Sequence, residues 1–335
     1  ARLGNHMRAF RRKSSLWVAR LGVWCIKASG AYAGYFADWR WSVFGWAEER
    51  GLHILPVHYY TPIPVARDLD LDGEVRKYSA QPESVLDAAM QTLRRLSSRY
   101  ASEFDEIGAR SGSRGDPVED FRFGAAPYSP AEAETLYGMI RATRPERIVE
   151  IGCGHTTFLI AEAIRAEAEA GYRPTVTCIE PYRPAYLERP PQEISEFIET
   201  PIQEVPLEFF DGLASGDLLF IDSSHVVATG SDTVHEVLRI LPRLKAGVMI
   251  HVHDIFLPYE YPKRWLCESR FFWAEQYILD AFLVGNAHFA VRLPLHQLYR
   301  ERRDELEELF PCLKSHGEVP SAYWLEAKGS MRTSS

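Results

Sequence analysis

Two histidine–carboxylate pairs stand out in the 335-residue chain, each closing an apolar run. LLFIDSSH (218–225) ends on Asp222 and His225, and GVMIHVHDIF (247–256) carries His253 and Asp254. Histidines of near-neutral pKa suit general-base removal of a proton from a hydroxyl. Carboxylates suit a divalent cation such as Mg2+, which reaches the same end by lowering the hydroxyl pKa. His225, His253 and Asp254 are therefore candidate catalytic groups, and Asp222, His225 and Asp254 candidate metal ligands. The set His225, His253 and Asp254 also has the two-histidine, one-carboxylate make-up that favours iron, which keeps a hydroxylase-like reading open. Asp222 has a plainer role available, capping the next helix or orienting His225. His251 lies deeper in its apolar run, where a hydrogen-bonded structural imidazole is at least as fitting as a ligand, and His235 on a helix reads as exposed or structural.

Two more acids end apolar runs, Glu150 in RIVEIGCGHTT (147–157) and Glu180 in TVTCIEPY (175–182). Bare backbone at Gly152 and Gly154 admits a ligand closely, and the helix that follows offers free N–H groups. A pyrophosphate site asks for a third glycine, but Thr157 stands there and Glu150 would repel phosphate. A carboxylate at that turn suits an α-ammonium instead. Glu180 can accept hydrogen bonds from both hydroxyls of a ribose. Ammonium at one strand tip and ribose at the next describe S-adenosylmethionine.

The elements that must position these groups are legible in the pattern. Apolar runs without alternation read as buried parallel strands at 147–152, 175–180, 217–222 and 247–254, with 196–200 a short one. HFAVRL (288–293) and AYWLEAK (322–328) supply two late strands. Helical spacing intervenes at 82–104, 156–170, 233–245 and 270–285. Another helix follows Ser129, an expected N-cap with Pro130 in the first turn. Alternating strands and helices give an α/β fold built on a doubly wound sheet. GARSGSRGDP (108–117) is the best boundary, dividing a helical, aromatic N-terminal extension (1–110) and linker (111–127) from the main domain (128–329).

Composition narrows the classes. The net charge of −8 argues against a general nucleic-acid binder, though not against a local basic patch. Five scattered cysteines without a CxxC pair point to reduced thiols in a cytoplasmic protein, with Cys153 and Cys178 as buried small hydrophobes. At the N-terminus, Arg2, Arg8, Arg11, Arg12 and Lys13 precede an apolar stretch (16–36) that Arg20 and Lys27 interrupt. Neither a signal sequence nor a spanning helix fits that order. A helix laid on the main domain or in a homodimer contact, and a helix on a membrane surface, both fit it.

From Tyr128 onward, and from His58 in its leading segment, the chain resembles class I S-adenosylmethionine-dependent methyltransferases, and within them the bacterial methyltransferase-24 type. VEIGCGHTT, CIEPY, LLFIDSSHVVATGSD, ILPRLKAGVMIHVHDIFLPYEYP and FWAEQYILDAFL carry the likeness. The resemblance implies a Rossmann-like, seven-stranded, mostly parallel sheet with an antiparallel last strand. It implies that Glu150, Gly152 and Gly154 frame the methionine end, with His155 and Thr156 beside them, and that Glu180 holds the ribose. Gln203, or Glu204 in its place, falls where an adenine contact is expected, and Asp222 joins the cofactor residues. Catechol-type enzymes carry acids at the same two tips followed by Asn, where this chain has Ile255. The expected activity is methyl transfer to a hydroxyl of a small-molecule or sugar-like acceptor. A noncatalytic cofactor-binding partner is the remaining alternative. FLPYEYPKRW (256–265) and HYYTPIP (58–64), with Tyr59 and Tyr60, are the candidate acceptor walls.

Overall fold

The structure, a computed structural model, describes residues 17, 19–25, 46–53, 61–65, 69, 76–110, 120–123, 128–314 and 319–329. Two compact units divide the chain, Ala1–Leu69 and Asp70–Ser335. In the first, residues 19–25 and 46–48 are helical, and Trp17, Leu21, Trp24 and Trp46 are exposed. Tyr59 and Tyr60 lie outside the described residues. No helix among the described residues is long and apolar enough to cross a membrane.

The second unit is built on seven strands: β1 (Arg147–Ile151), β2 (Thr175–Ile179), β3 (Glu196–Ile198), β4 (Leu218–Ile221), β5 (Met249–Val252), β6 (Phe289–Pro294) and β7 (Tyr323–Ala327). Their order is β3-β2-β1-β4-β5-β7-β6. β1 runs parallel to β2 and β4, and β7 pairs antiparallel with both β5 and β6. This is the doubly wound sheet with an antiparallel last strand that the sequence led us to expect.

Both faces are covered, which is why the strands read as continuous apolar runs. Alternation sends Ile148, Val176 and Phe220 to one face and Val149, Ile151, Leu219 and Ile250 to the other. Helix α1 (Glu83–Gly108) packs on the first face through Leu86, Met90, Leu93, Tyr100 and Phe104, the three-and-four spacing of a helical stripe. It belongs to the unit that starts at Asp70, although the sequence grouped it with the extension. Helix α2 (Pro130–Thr143) follows Ser129 as expected, with Glu132 Oε2 accepting from the Ser129 N–H at 3.0 Å. Helix α3 (His155–Arg165) completes this layer.

The other layer departs from expectation. The helix expected over 233–245 is three short pieces: a turn at Asp232–His235, a widened π turn at Glu236–Ile240 and a 3₁₀ turn at Leu241–Arg243. Pro242 supplies no N–H and so interrupts the helical ladder. The helix expected over 270–285 starts only at Glu275 (α4, Glu275–Leu283), because Arg270 adopts φ +60° and 271–274 are not helical. Two helices that the sequence reading did not assign, α5 (Leu295–Glu301) and α6 (Arg303–Leu309), lie between β6 and β7.

The turn after β1 fixes where α3 begins. Gly152 has φ +81°, and a Cβ there would stand 1.7 Å from the Asp222 carbonyl oxygen, so no other residue fits. Beneath the turn, fully buried Glu150 accepts from Thr156 Oγ1 and Thr157 Oγ1, both at 2.7 Å, which ties β1 to the first turn of α3. Burial raises the Glu150 carboxyl from an ordinary 4.5 to about 7, against the opposing hydrogen bonds of the two threonines and Cys178. The folded protein therefore keeps this proton across pH 4.5 to 7, where the unfolded chain releases it. Its contribution is complete at low pH and is lost as pH rises through that window. We expect Glu150→Gln to gain stability relative to the native chain from pH 4.5 to 7, by on the order of 3 kcal/mol, and to level off above it. Urea unfolding of both proteins against pH tests this; a pH-independent difference contradicts it.

Candidate functional site

Ligands of open α/β sheets lie beyond the carboxyl ends of the strands, where the strand order reverses. Here that point is the junction of β1 with β2 on one side and β4 on the other. A cavity of about 560 Å³ opens there, lined by Gly152, Glu180, Gln203 and Asp222 together with Tyr182, Ile202 and Ser223. Four residues that the sequence picked out for one cofactor thus share one cavity.

Each arrives by a local route. Gly152 brings the β1 turn against Asp222, whose N–H in turn donates to Ile151 at 2.9 Å. Glu180 follows β2, and its Oε1 accepts from the Tyr182 N–H at 2.7 Å. Its Oε2 accepts from no described residue. Gln203 sits in a 3₁₀ turn and donates to the Gly230 carbonyl at 2.8 Å. Between the two candidates for that position, Gln203 lines the cavity and Glu204 does not. Gly154 is roomier than Gly152, since an added Cβ would make only ordinary contact with Tyr186.

Glu150, His155 and Thr156 do not line this cavity. Glu150 spends its oxygens on Thr156 and Thr157 and does not line the cavity. His155 opens α3 with its ring 4.8 Å from that of Tyr186, and burial lowers its pKa. Thr156 points its hydroxyl to Glu150.

Asp222 joins the cavity to a second group. Among the described residues, Asp222, His225 and Asp254 bring one ligand atom each within 4.8 Å of one another. His225 Nε2 lies 3.3 Å from Asp222 Oδ1 and 3.7 Å from Asp254 Oδ2. Its Nδ1 donates to buried Glu275 Oε2 at 2.7 Å, which aims Nε2 at the two carboxylates. Burial opposes charge on His225, but the bonds to Asp222 and Glu275 outweigh it and hold the pKa well above the ordinary value. Burial likewise raises Asp222, yet the His253 charge and the His225 bond bring it below the usual carboxylate range.

Both tips are bent into unusual backbone. His225 has φ +59° and Asp254 φ +55°, the left-handed region that side chains of this kind enter at a cost of about 1–3 kcal/mol. Surrounding bonds hold them there. The His225 carbonyl accepts from the Ala274 N–H at 2.9 Å, and Asp254 Oδ1 accepts from Ser321 Oγ at 3.0 Å. Ser321 also donates its backbone N–H to Glu132 Oε1, so the start of α2 is tied to the β5 tip.

His253 is buried beneath Tyr128, ring on ring at 4.9 Å, with Nε2 3.6 Å from Asp254 Oδ1. Burial lowers its pKa, but Asp254, Asp222 and Glu132 raise it above the ordinary value. It joins neither of the potential ligand groups among the described residues, so the set His225, His253 and Asp254 does not close around one point. His251 is packed among rings, with neither ring nitrogen hydrogen-bonded, and joins neither ligand group among the described residues. It stacks on Phe220 at 4.3 Å with Trp324 edge-on, and burial holds it neutral.

The 256–265 loop is a packed element rather than an open wall, since Phe256, Leu257, Tyr259 and Tyr261 are buried. The aromatics beside the site come instead from the segment before α4. Trp273 lies 4.4 Å from the His225 ring, and exposed Phe271 stacks flat on Trp273 at 5.0 Å. Sequence reasoning missed these, along with Glu275, Glu132 and Ser321. An acid placed within an apolar helical run was the available signal for Glu275.

Residues 149–255 match the family described as Methyltransferase domain. No curated protein matches the chain. Similar solved structures include CmcI-N160 without ligand, at 14% identity over 66% of this chain and 90% of that one, with a TM-score of 0.35. CmcI-D160 with Mg-SAM matches at 14% identity over 64% and 88%, with a TM-score of 0.31. A likely methyl transferase from Burkholderia thailandensis, bound to S-adenosyl-homocysteine, matches at 10% identity over 76% and 96%, also with a TM-score of 0.31. Residues 149–255, from β1 to the tip of β5, thus match a methyltransferase domain family, and the sheet order is the doubly wound one that the resemblance implied.

Proposed function

We propose that the protein transfers a methyl group from S-adenosylmethionine to a hydroxyl of a small-molecule or sugar-like acceptor, with a divalent cation assisting. The observation that carries this reading is Asp222, which belongs both to the cavity shared with Gly152 and Glu180 and to the Asp222–His225–Asp254 group. A donor site and a hydroxyl-activating site thus meet at one side chain.

The free Oε2 of Glu180 suits a ribose hydroxyl, and Gln203 suits an adenine edge. Glu150 acts from behind, holding the glycine turn rather than the ammonium itself. Asp222, His225 and Asp254 fit a divalent ion by donor type, two carboxylates and an imidazole whose far nitrogen is already bonded to an acid. A cation held there supplies charge that lowers the pKa of an acceptor hydroxyl. Glu275 keeps His225 oriented, Ser321 keeps Asp254 oriented, and His253 adds positive charge behind Asp254. The hydroxyl proton passes to the Asp254 carboxylate, and the oxygen takes the methyl in line with the sulfonium as the carbon–sulfur bond breaks and S-adenosylhomocysteine leaves. Trp273 and Phe271 offer a flat face to the acceptor ring. A net charge of −8 favours a small neutral or cationic acceptor over nucleic acid.

Two measurements check this. Glu180→Ala should weaken S-adenosylhomocysteine binding, read by calorimetry, by about 1–3 kcal/mol, the cost of leaving ribose hydroxyls without a partner. Unchanged affinity removes the ribose assignment. Asp254→Asn, loaded with S-adenosylhomocysteine, should lose Mn2+ binding in calorimetry and lose turnover while keeping the nucleoside. Mn2+ bound as tightly as in the native protein contradicts the cation assignment.

A further inference from the structure

A second cavity, of about 570 Å³, is lined by the 256–263 loop and by helices α5 and α6, and shares no residue with the cofactor cavity. His296 stands in its wall and is 95% buried, with a relative exposure of 5%. Its Nδ1 lies 2.9 Å from the Pro320 carbonyl, which can only accept, so Nδ1 carries the proton. Burial pushes the His296 pKa down to about 4, against the Pro320 bond and with help from the Arg300 charge. Nε2 is therefore a bare lone pair at neutral pH, and among the described residues nothing donates to it. That lone pair belongs to a side chain lining the cavity, where a donor on a bound ligand can meet it.

The rim of the same cavity is cationic. Lys263, Arg300 and Arg303 line it in a chain whose net charge is −8. The Arg300 guanidinium packs 4.7 Å over the Tyr259 ring and that of Arg303 5.0 Å over Tyr299, which limits their freedom. Arg303 uses Nε on Glu307 at 2.6 Å. The one acid in the described lining, Glu260, is engaged internally by the hydroxyls of Tyr78 and Tyr277.

We infer that this cavity binds a phosphorylated polyol or sugar, a ligand whose hydroxyl donates to His296 Nε2 while its phosphate rests among Lys263, Arg300 and Arg303. Arginine and lysine together suit a dianion, and Tyr299 and Tyr261 give the carbon skeleton an apolar surface. The inference does not depend on the methyl-transfer reading, because the two cavities are separate.

Glycerol 3-phosphate, glycerol and inorganic phosphate are the probes, titrated into full-length protein with labelled histidine side chains and followed by NMR and calorimetry. Glycerol 3-phosphate should shift the His296 resonance saturably, and glycerol should not. Arg303→Glu lies at an exposed position, so its melting temperature should stay native while affinity falls by about tenfold or more. His296→Phe should abolish the advantage of glycerol 3-phosphate over inorganic phosphate. No saturable shift, an unchanged affinity in Arg303→Glu, or inorganic phosphate binding as tightly as glycerol 3-phosphate each overturns the proposal.

Discussion

The close approach of the β1 turn to the β4 tip governs the rest of this site. Gly152 presses its bare Cα against the Asp222 backbone, at a distance that no Cβ allows. That contact sets the floor of the cavity at the β1, β2 and β4 ends, fixes where α3 starts and delivers the Asp222 carboxylate to the cavity edge. Because β1 and β4 are hydrogen-bonded neighbours, the position is held by the sheet rather than by a loop. A rigid frame of this kind suits the proposed transfer, since the reacting atoms must meet in line.

A crowded set of ionisable groups rests on that frame. Glu132, Asp222, Asp254 and Glu275 surround His225 and His253, all of them largely buried. Acids outnumber imidazoles, and the raised pKa values of both histidines show the protein drawing in positive charge to compensate. The left-handed conformations of His225 and Asp254 belong to the same arrangement. Strain at two facing strand tips persists only where neighbouring bonds over-determine it. Glu275, Ala274 and Ser321 provide those bonds.

The sequence revealed the strands well, because a sheet covered on both faces leaves uninterrupted apolar runs. Acids at the ends of those runs were equally visible, and Glu180, Gln203 and Asp222 do share a cavity with Gly152. What stayed hidden is non-local. Glu275 reaches His225 across 50 residues, Ser321 reaches Asp254 across 67, and Glu132 meets Ser321 across 189. No local pattern announces such pairs. Glu150 was visible as a strand-end acid, but which way it turned depended on the hydroxyls of Thr156 and Thr157. The helices expected over 233–245 and 270–285 had convincing apolar spacing, yet Pro242 and the φ +60° turn at Arg270 broke them locally. The second break matters for the site, since it places Trp273 beside His225.

The most direct test of the central claim is a crystal structure of the complex with S-adenosylhomocysteine. The account predicts the ribose hydroxyls on Glu180 Oε2, the adenine beside Gln203 and the sulfur near Asp222, above Gly152. A nucleoside bound elsewhere, or one that leaves Glu180 and Asp222 untouched, contradicts it.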